Sequence, residues 1–205
     1  MSTAVIDVSQ EKEVVKIEIP EYLIYEMYMG KPIYYRGYEE VLAGTKTLEQ
    51  IMGDSTLQSW LKIRLSIVLS QILDTLGYEV FGGELGITFE KEGWRSADLA
   101  IYKFGMELTV KYAKISPEIA IEIDVQADTK SLGGEMKYVE EKTNQYLKHG
   151  TKKVIWIFTN AGAILEASET DNFHVSSWDK DLEIMEGVTI NIAQMIENRR
   201  KPIAE

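Results

Sequence analysis

The chain of 205 residues contains no cysteine. That absence excludes disulfides, thiolate metal sites and a cysteine nucleophile together. Histidine is limited to His149 and His174, so a centre built on several imidazoles is excluded too. Only four prolines occur, and no Gly/Ser-rich or Pro-rich tract divides the middle of the chain. Without a linker, a single domain is expected. No apolar run reaches the ~18 residues of a membrane span. The opening residues, MSTAVIDVSQEKEVVKIEIP, lack the basic head and apolar core of a secretory signal. The expectation is a soluble cytoplasmic protein. Positive charge is also short: Lys and Arg total 22 against 33 Asp and Glu, a net charge of −11. Proteins that grip nucleic acid mainly through phosphates are basic. The balance therefore disfavours tight, unassisted DNA binding, and leaves room only for a local basic groove, a partner, or a metal that offsets acids at a site.

Hydrophobic residues make up 45% of the chain, enough for one real core. Residues 1–19 read as a flexible N-terminal arm, 20–197 as the domain and 198–205 as a frayed tail. A tyrosine-rich segment leads to Asp54 or Ser55, either of which can cap the helix that follows. In that helix Leu57, Leu61, Leu65, Val68, Ile72 and Leu76 recur at three- and four-residue steps, and Trp60, Ile63, Ile67 and Leu69 widen the stripe. Such breadth predicts burial on more than one side. Gly77 stops the helix. YEVFGGELGITFE reads as two short strands or one broken strand, followed by strands in SADLAIY and PEIAIEIDV. Next come a helix in EMKYVEEKTNQYLKHG and an apolar strand in KKVIWIF. That order predicts a right-handed parallel crossover. AILEASE and FHVSSW read as antiparallel strands, and GVTINIAQMIENRR as a strand running into a short helix. The fold class is α/β, with a central mixed sheet flanked by helices.

Two acids stand out in this pattern. Asp98 opens one apolar run and Glu122 lies inside another, although an unpaired buried charge costs several kcal/mol. Strand alternation puts Asp124 on the same face as Glu122. Converging carboxylates repel, and protonation or a divalent cation relieves them. Oxygen-only ligands favour a hard ion such as magnesium or manganese, which lowers the pKa of bound water and stabilises charge at phosphorus. Lys142 forms a row with Tyr138 and Tyr146 on the crossover helix, from which it can reach the strand bearing Glu122. Lys137 and Lys130 are rivals for the role. The structural alternative is a buried pair between Glu122 and a base such as Arg95. His149 reads as a helix-end residue and His174 as an ordinary strand residue. Tyr34, Tyr35 and Tyr38 could stack on bases or pack under a sheet edge.

From residue 22 to about 195 the chain resembles the Uma-type restriction-endonuclease family of the PD-(D/E)xK nuclease superfamily. SADLAIY is similar to its aspartate strand, IAIEIDV to its glutamate strand, and KTNQYLKHGTKKVIWIF to its lysine helix and following apolar strand. The resemblance implies a restriction-endonuclease-like core with an N-terminal extension. It implies a magnesium- or manganese-dependent DNA endonuclease with catalytic Asp98, Glu122 and Lys142. Asp98, Glu122 and the Ile123 backbone carbonyl would hold the metal, with Glu84 and Asp124 as accessory acids. The chain departs from the pattern at Ala97, where proline is usual, at Asp124, where the wider superfamily has lysine, and at Gln58, where many relatives carry histidine. The alternatives are a catalytically weak or inactive nuclease-fold module kept for binding or oligomerisation, and a small-molecule phosphodiesterase. Apolar sheet edges and the tyrosine-rich segment point to a homodimer.

Overall fold

A computed structural model of the chain describes residues 19–169 and 173–199. The expected arm lies outside the described residues but for Ile19, and the expected tail but for Asn198 and Arg199. The elements run β1 (Ile24–Tyr28), β2 (Lys31–Tyr34), α1 (Tyr38–Leu42), α2 (Leu48–Met52), α3 (Thr56–Leu73), β3 (Tyr78–Thr88), β4 (Gly93–Lys103) and β5 (Ile119–Ile123). They continue with α4 (Glu135–Lys148), β6 (Lys153–Phe158), β7 (Ala163–Ser168), β8 (His174–Ser177), β9 (Leu182–Met185), β10 (Val188–Ile190) and α5 (Ile192–Glu197).

One sheet has the order β2-β1-β4-β5-β6-β7-β8, with β3 paired to β4 off that path; β9 and β10 form a separate hairpin. Among the strands of the described residues only β5 and β6 pair in parallel, with Glu122 opposite Trp156, and α4 is the crossover between them. The mixed α/β architecture matches the expected fold class. Ser55 caps α3 by accepting from the Gln58 backbone N–H, which satisfies a donor that the first turn leaves free.

The two helices take opposite faces. Leu61, Leu65, Leu69 and Leu73 of α3 are fully buried and share a core with Leu99, Ile101, Ile119, Ile121 and Ile123. Burying each such side chain stabilises by roughly 1.5–3 kcal/mol. Tyr138, Val139 and Tyr146 of α4 pack instead with Ala97, Ala100, Ala120 and Trp156. The breadth of the α3 stripe predicted burial on more than one side, but Ile63, Ile67 and Ile72 are exposed. The sheet covers one face of the helix, and the leucines at four-residue spacing take it.

The path of β4 positions the site. β3 runs along one edge; the other edge carries β1 at Gly93–Trp94 and β5 at Leu99–Ile101. Between those contacts β1 and β5 diverge, leaving Arg95–Asp98 facing a fork. Gly93 is obligatory at its near end: its φ is +104°, and a Cβ there would sit 2.1 Å from the Met27 carbonyl oxygen. A bulge in β3 between Gly82 and Leu85 lies opposite Asp98. Ala97 belongs to the core on the α4 side, while Leu99 and Ile101 belong to the core on the α3 side. Regular alternation therefore breaks at Asp98.

Candidate active site at the strand fork

Backbone groups that would otherwise pair across strands point into the fork, and carboxylates satisfy them. The Ser96 N–H donates to Glu26 Oε1 at 3.1 Å, and the Ile123 N–H donates to Asp98 Oδ2 at 2.7 Å. Asp98 and Glu122, singled out in the sequence, are both buried here. Each has its own ammonium. Lys142 Nζ, fully buried on α4, lies 3.0 Å from Glu122 Oε2 and 2.8 Å from Glu26 Oε1. Both are ion pairs by distance, though off the angles of a good hydrogen bond. Lys62 Nζ, on α3, lies 2.8 Å from Asp98 Oδ1 and 2.9 Å from Asp54 Oδ2. Of the three candidate lysines, only Lys142 reaches Glu122. Lys130 and Lys137 are exposed and pair with Glu39 and Glu140.

Glu26 was not singled out in the sequence. It is fully buried on β1 and also holds Arg95 Nη1 at 2.8 Å and the Tyr138 hydroxyl at 2.8 Å. Arg95, the sequence's alternative partner for Glu122, pairs with Glu26 instead, donates to Gln145 Oε1 and stacks over Tyr28. The signal for Glu26 was present: an acid inside the apolar strand IYEMY.

Burial pushes the Glu122 carboxyl up to about 8; Lys142 opposes the shift, while Asp98 and Glu26 add to it. Burial likewise raises Asp98, against the pull of Lys62. Glu26 goes the other way, because Lys142 and Arg95 outweigh its burial. Burial works against the charge on Lys142, but Glu122 and Glu26 outweigh it and hold the ammonium above its usual range. Glu122 Oε1 is buried without a hydrogen-bond partner. The cost of such an orphan marks it as an oxygen that a proton or a cation would satisfy. The Ile123 carbonyl accepts from Gln58 Nε2 at 2.8 Å.

The accessory acids stand apart from the pair. Glu84 sits in the β3 bulge with φ +61°. Partial desolvation raises its carboxyl, Lys62 opposes, and Asp98 and Asp54 add to the rise; its charge is thus felt at the fork although the residue is exposed. Asp124 does not continue the alternation that put it beside Glu122. β5 ends at Ile123, Asp124 turns left-handed at φ +61°, and its carboxylate accepts from the Thr159 N–H and hydroxyl. Among the described residues no set of three Asp, Glu or His side chains forms a ready cation cage. An ion would have to draw on Asp98, Glu122 and the Ile123 carbonyl, an all-oxygen set that suits a hard cation.

His149 lies 3.1 Å from Glu92 near the end of α4, and His174 is exposed on β8. Tyr35 is buried edge-on against Tyr25, while Tyr34 and Tyr38 stack with centroids 4.8 Å apart. Beside the site lies a cleft of about 490 Å³ lined by Arg36, Gln58, Asp124, Gln126 and Asn160. Gln58 is the residue shared by the cleft and the fork. No helix among the described residues is long and apolar enough to cross a membrane.

No protein-family model matches the chain, and no curated protein matches it in sequence. Among solved structures it is similar to one from Anabaena variabilis described as "a putative nuclease belonging to DUF820". The TM-score is 0.63 at 15% identity, over 84% of this chain and 89% of that one. The likeness establishes a shared fold across most of both chains.

Proposed function

We propose that the chain is a metal-dependent endonuclease that hydrolyses DNA phosphodiester bonds at the fork of β1, β4 and β5. Asp98, Glu122 and the Ile123 carbonyl would hold a magnesium or manganese ion, with Lys142 beside them. The observation that carries this reading is the fully buried Lys142 ammonium 3.0 Å from Glu122, at the break in β4 that holds Asp98, in a fold shared with a protein described as "a putative nuclease". The unpartnered Glu122 Oε1 supports the fit.

When bound, such an ion lowers the pKa of a water and stabilises charge at phosphorus. The chain's own residues do the rest. Lys142 holds Glu122 by Oε2, leaves Oε1 open, and draws the carboxyl toward its ionised, ligating form. Glu26, anchored by Arg95 and Tyr138, fixes the Lys142 ammonium from the far side. Burial of the cluster lowers the local dielectric and strengthens the field of that ammonium. The cleft beyond Gln58 carries Arg36 on its wall, paired there with Glu135 at 2.7 Å, so a phosphate would have to draw the guanidinium from that carboxylate.

A second reading, a nuclease fold kept for binding without turnover, is favoured by one observation: Lys62, Arg95 and Lys142 already neutralise most of the charge on Glu26, Asp54, Asp98 and Glu122. Supercoiled plasmid incubated with Mg²⁺ or Mn²⁺ separates the two. Metal-dependent nicking by the wild type, lost in Glu122→Ala and in Lys142→Ala, is the expected result. Nicking that persists in a purified, folded Glu122→Ala protein would sink the site. No nicking with either metal would leave the second reading standing.

A further inference from the structure

Gln58 and Lys62 are four residues apart on α3 and so share one face of the helix. That face meets the fork. Gln58 Nε2 donates to the Ile123 carbonyl at 2.8 Å, and Lys62 Nζ lies 2.8 Å from Asp98 Oδ1. The remaining oxygen of Asp98 is taken by the Ile123 N–H. Two of the three groups assigned to the ion are thus covered by side chains of a single helix, and only Glu122 Oε1 is left open. The ammonium also has a second place to rest. Asp54, just ahead of α3, holds Lys62 Nζ at 2.9 Å and is itself fixed by Gln126 Nε2 at 2.7 Å.

We propose that the Gln58–Lys62 pair is an internal plug of the cation site, holding Asp98 and the Ile123 carbonyl in the metal-free protein and yielding them when the ion enters. The inference rests on the metal-site reading above. An ammonium and a divalent ion cannot share Asp98 Oδ1, because at ligand distance their charges repel strongly in a partly buried site. The amide of Gln58 likewise turns its positive NH₂ end toward any cation on the Ile123 carbonyl. Lys62 is mostly buried. Burial opposes its charge, but Asp98 and Asp54 outweigh burial. Entry of the ion leaves the Lys62 ammonium on Asp54.

Mn²⁺ binding measured calorimetrically at pH 7.5 tests this. Lys62→Met is expected to tighten the dissociation constant about 10-fold or more, one buried charge being worth at least 1.4 kcal/mol. Gln58→Ala frees the carbonyl with no change of charge and is expected to tighten it about 3-fold, the scale of one neutral hydrogen bond. Arg64→Met is the control. Arg64 lies exposed on the same helix with its guanidinium over Trp60, so the constant should move less than about 2-fold when that charge is lost. If Lys62→Met does not fold, as judged by circular dichroism, Lys62→Gln takes its place, keeping a donor for Asp98 without the charge. Wild-type binding that Lys62→Met and Gln58→Ala leave unchanged would overturn the plug and leave the metal site intact. Tightening in Arg64→Met equal to that in Lys62→Met would reduce the effect to general charge and overturn the plug as well. No Mn²⁺ binding in any variant would overturn both readings.

Discussion

Lys142→Met removes a buried charge while keeping an unbranched side chain of similar length. Lys142 Nζ stands 2.8 Å from Glu26 Oε1 and 3.0 Å from Glu122 Oε2. Without it Glu26 still has Arg95, the Tyr138 hydroxyl and the Ser96 N–H. Glu122 loses the one cation that reaches it among the described residues. Breaking a buried pair from one side costs about 3–5 kcal/mol, and thioether contacts with Tyr25, Tyr138 and Trp156 offset part of that, so a net loss of about 2–4 kcal/mol is expected at pH 9. The penalty depends on pH. Glu122 titrates at about 8 in the wild type, and loss of Lys142 moves it higher. Well below 8 the carboxyl is protonated in both proteins, and the penalty at Glu122 fades. Above 8 the folded variant keeps a proton that the folded wild type has released. Its stability therefore falls faster with rising pH, by up to about 1.4 kcal/mol for each pH unit of that window. Urea unfolding at pH 6 and pH 9 with EDTA present, followed by tryptophan fluorescence and far-UV circular dichroism, reads this out; Trp156 lies 5.5 Å from the ammonium. A penalty under about 1 kcal/mol at pH 9, or one that shrinks as pH rises, refutes the reasoning.

Three further outcomes follow from the same geometry. The raised Glu122 pKa means the metal-free wild type loses stability as pH rises from about 4.5 to about 8, on the order of a few kcal/mol. Glu122→Gln removes that decline, and parallel melting-temperature profiles for the two proteins between pH 4.5 and 9 would contradict the shift. Glu26→Gln strips Arg95 and Lys142 of a shared counter-charge and is expected to cost about 3 kcal/mol in urea unfolding; a cost below about 1 kcal/mol would show that Glu26 is not the anchor. Asp124→Ala frees the Thr159 N–H and hydroxyl and is expected to cost about 1–2 kcal/mol, as loss of a cap does. Because Asp124 points away from the fork, its loss is expected to leave Mn²⁺ affinity unchanged, and a large loss of affinity would restore it as an accessory ligand.

Helices α3 and α4 and the parallel crossover were legible because apolar periodicity follows directly from burial, whereas the short α1 and α2, which bury no residue fully, left no such pattern in the tyrosine-rich segment. Leu61, Leu65, Leu69 and Leu73 spell the α3 face, and VIWI spells a strand buried on both sides. Glu122 was legible for the same reason, as an acid that breaks such a run. Lys142 was legible in part, as the lysine in a row with Tyr138 and Tyr146, but Lys137 and Lys130 stayed rivals in sequence, and its depth beside Glu122 became visible only in three dimensions. Glu26 was harder still, since the residues that explain it, Arg95 and Tyr138, come from β4 and α4. Lys62 reads in sequence as a polar residue on a broad apolar helix, and its role depends on where α3 crosses the fork. Strand alternation misplaced Asp124 because periodicity carries no information about where a strand ends, and the chain turns left-handed at that residue.

Anomalous diffraction at the manganese edge, from crystals soaked in Mn²⁺, tests the central assignment most directly. The account predicts one strong peak about 2.1 Å from oxygens of Asp98, Glu122 and the Ile123 carbonyl, beside Lys142, with the Lys62 ammonium on Asp54. A saturating soak that leaves the fork without a peak, and Lys62 still seated on Asp98, would contradict it.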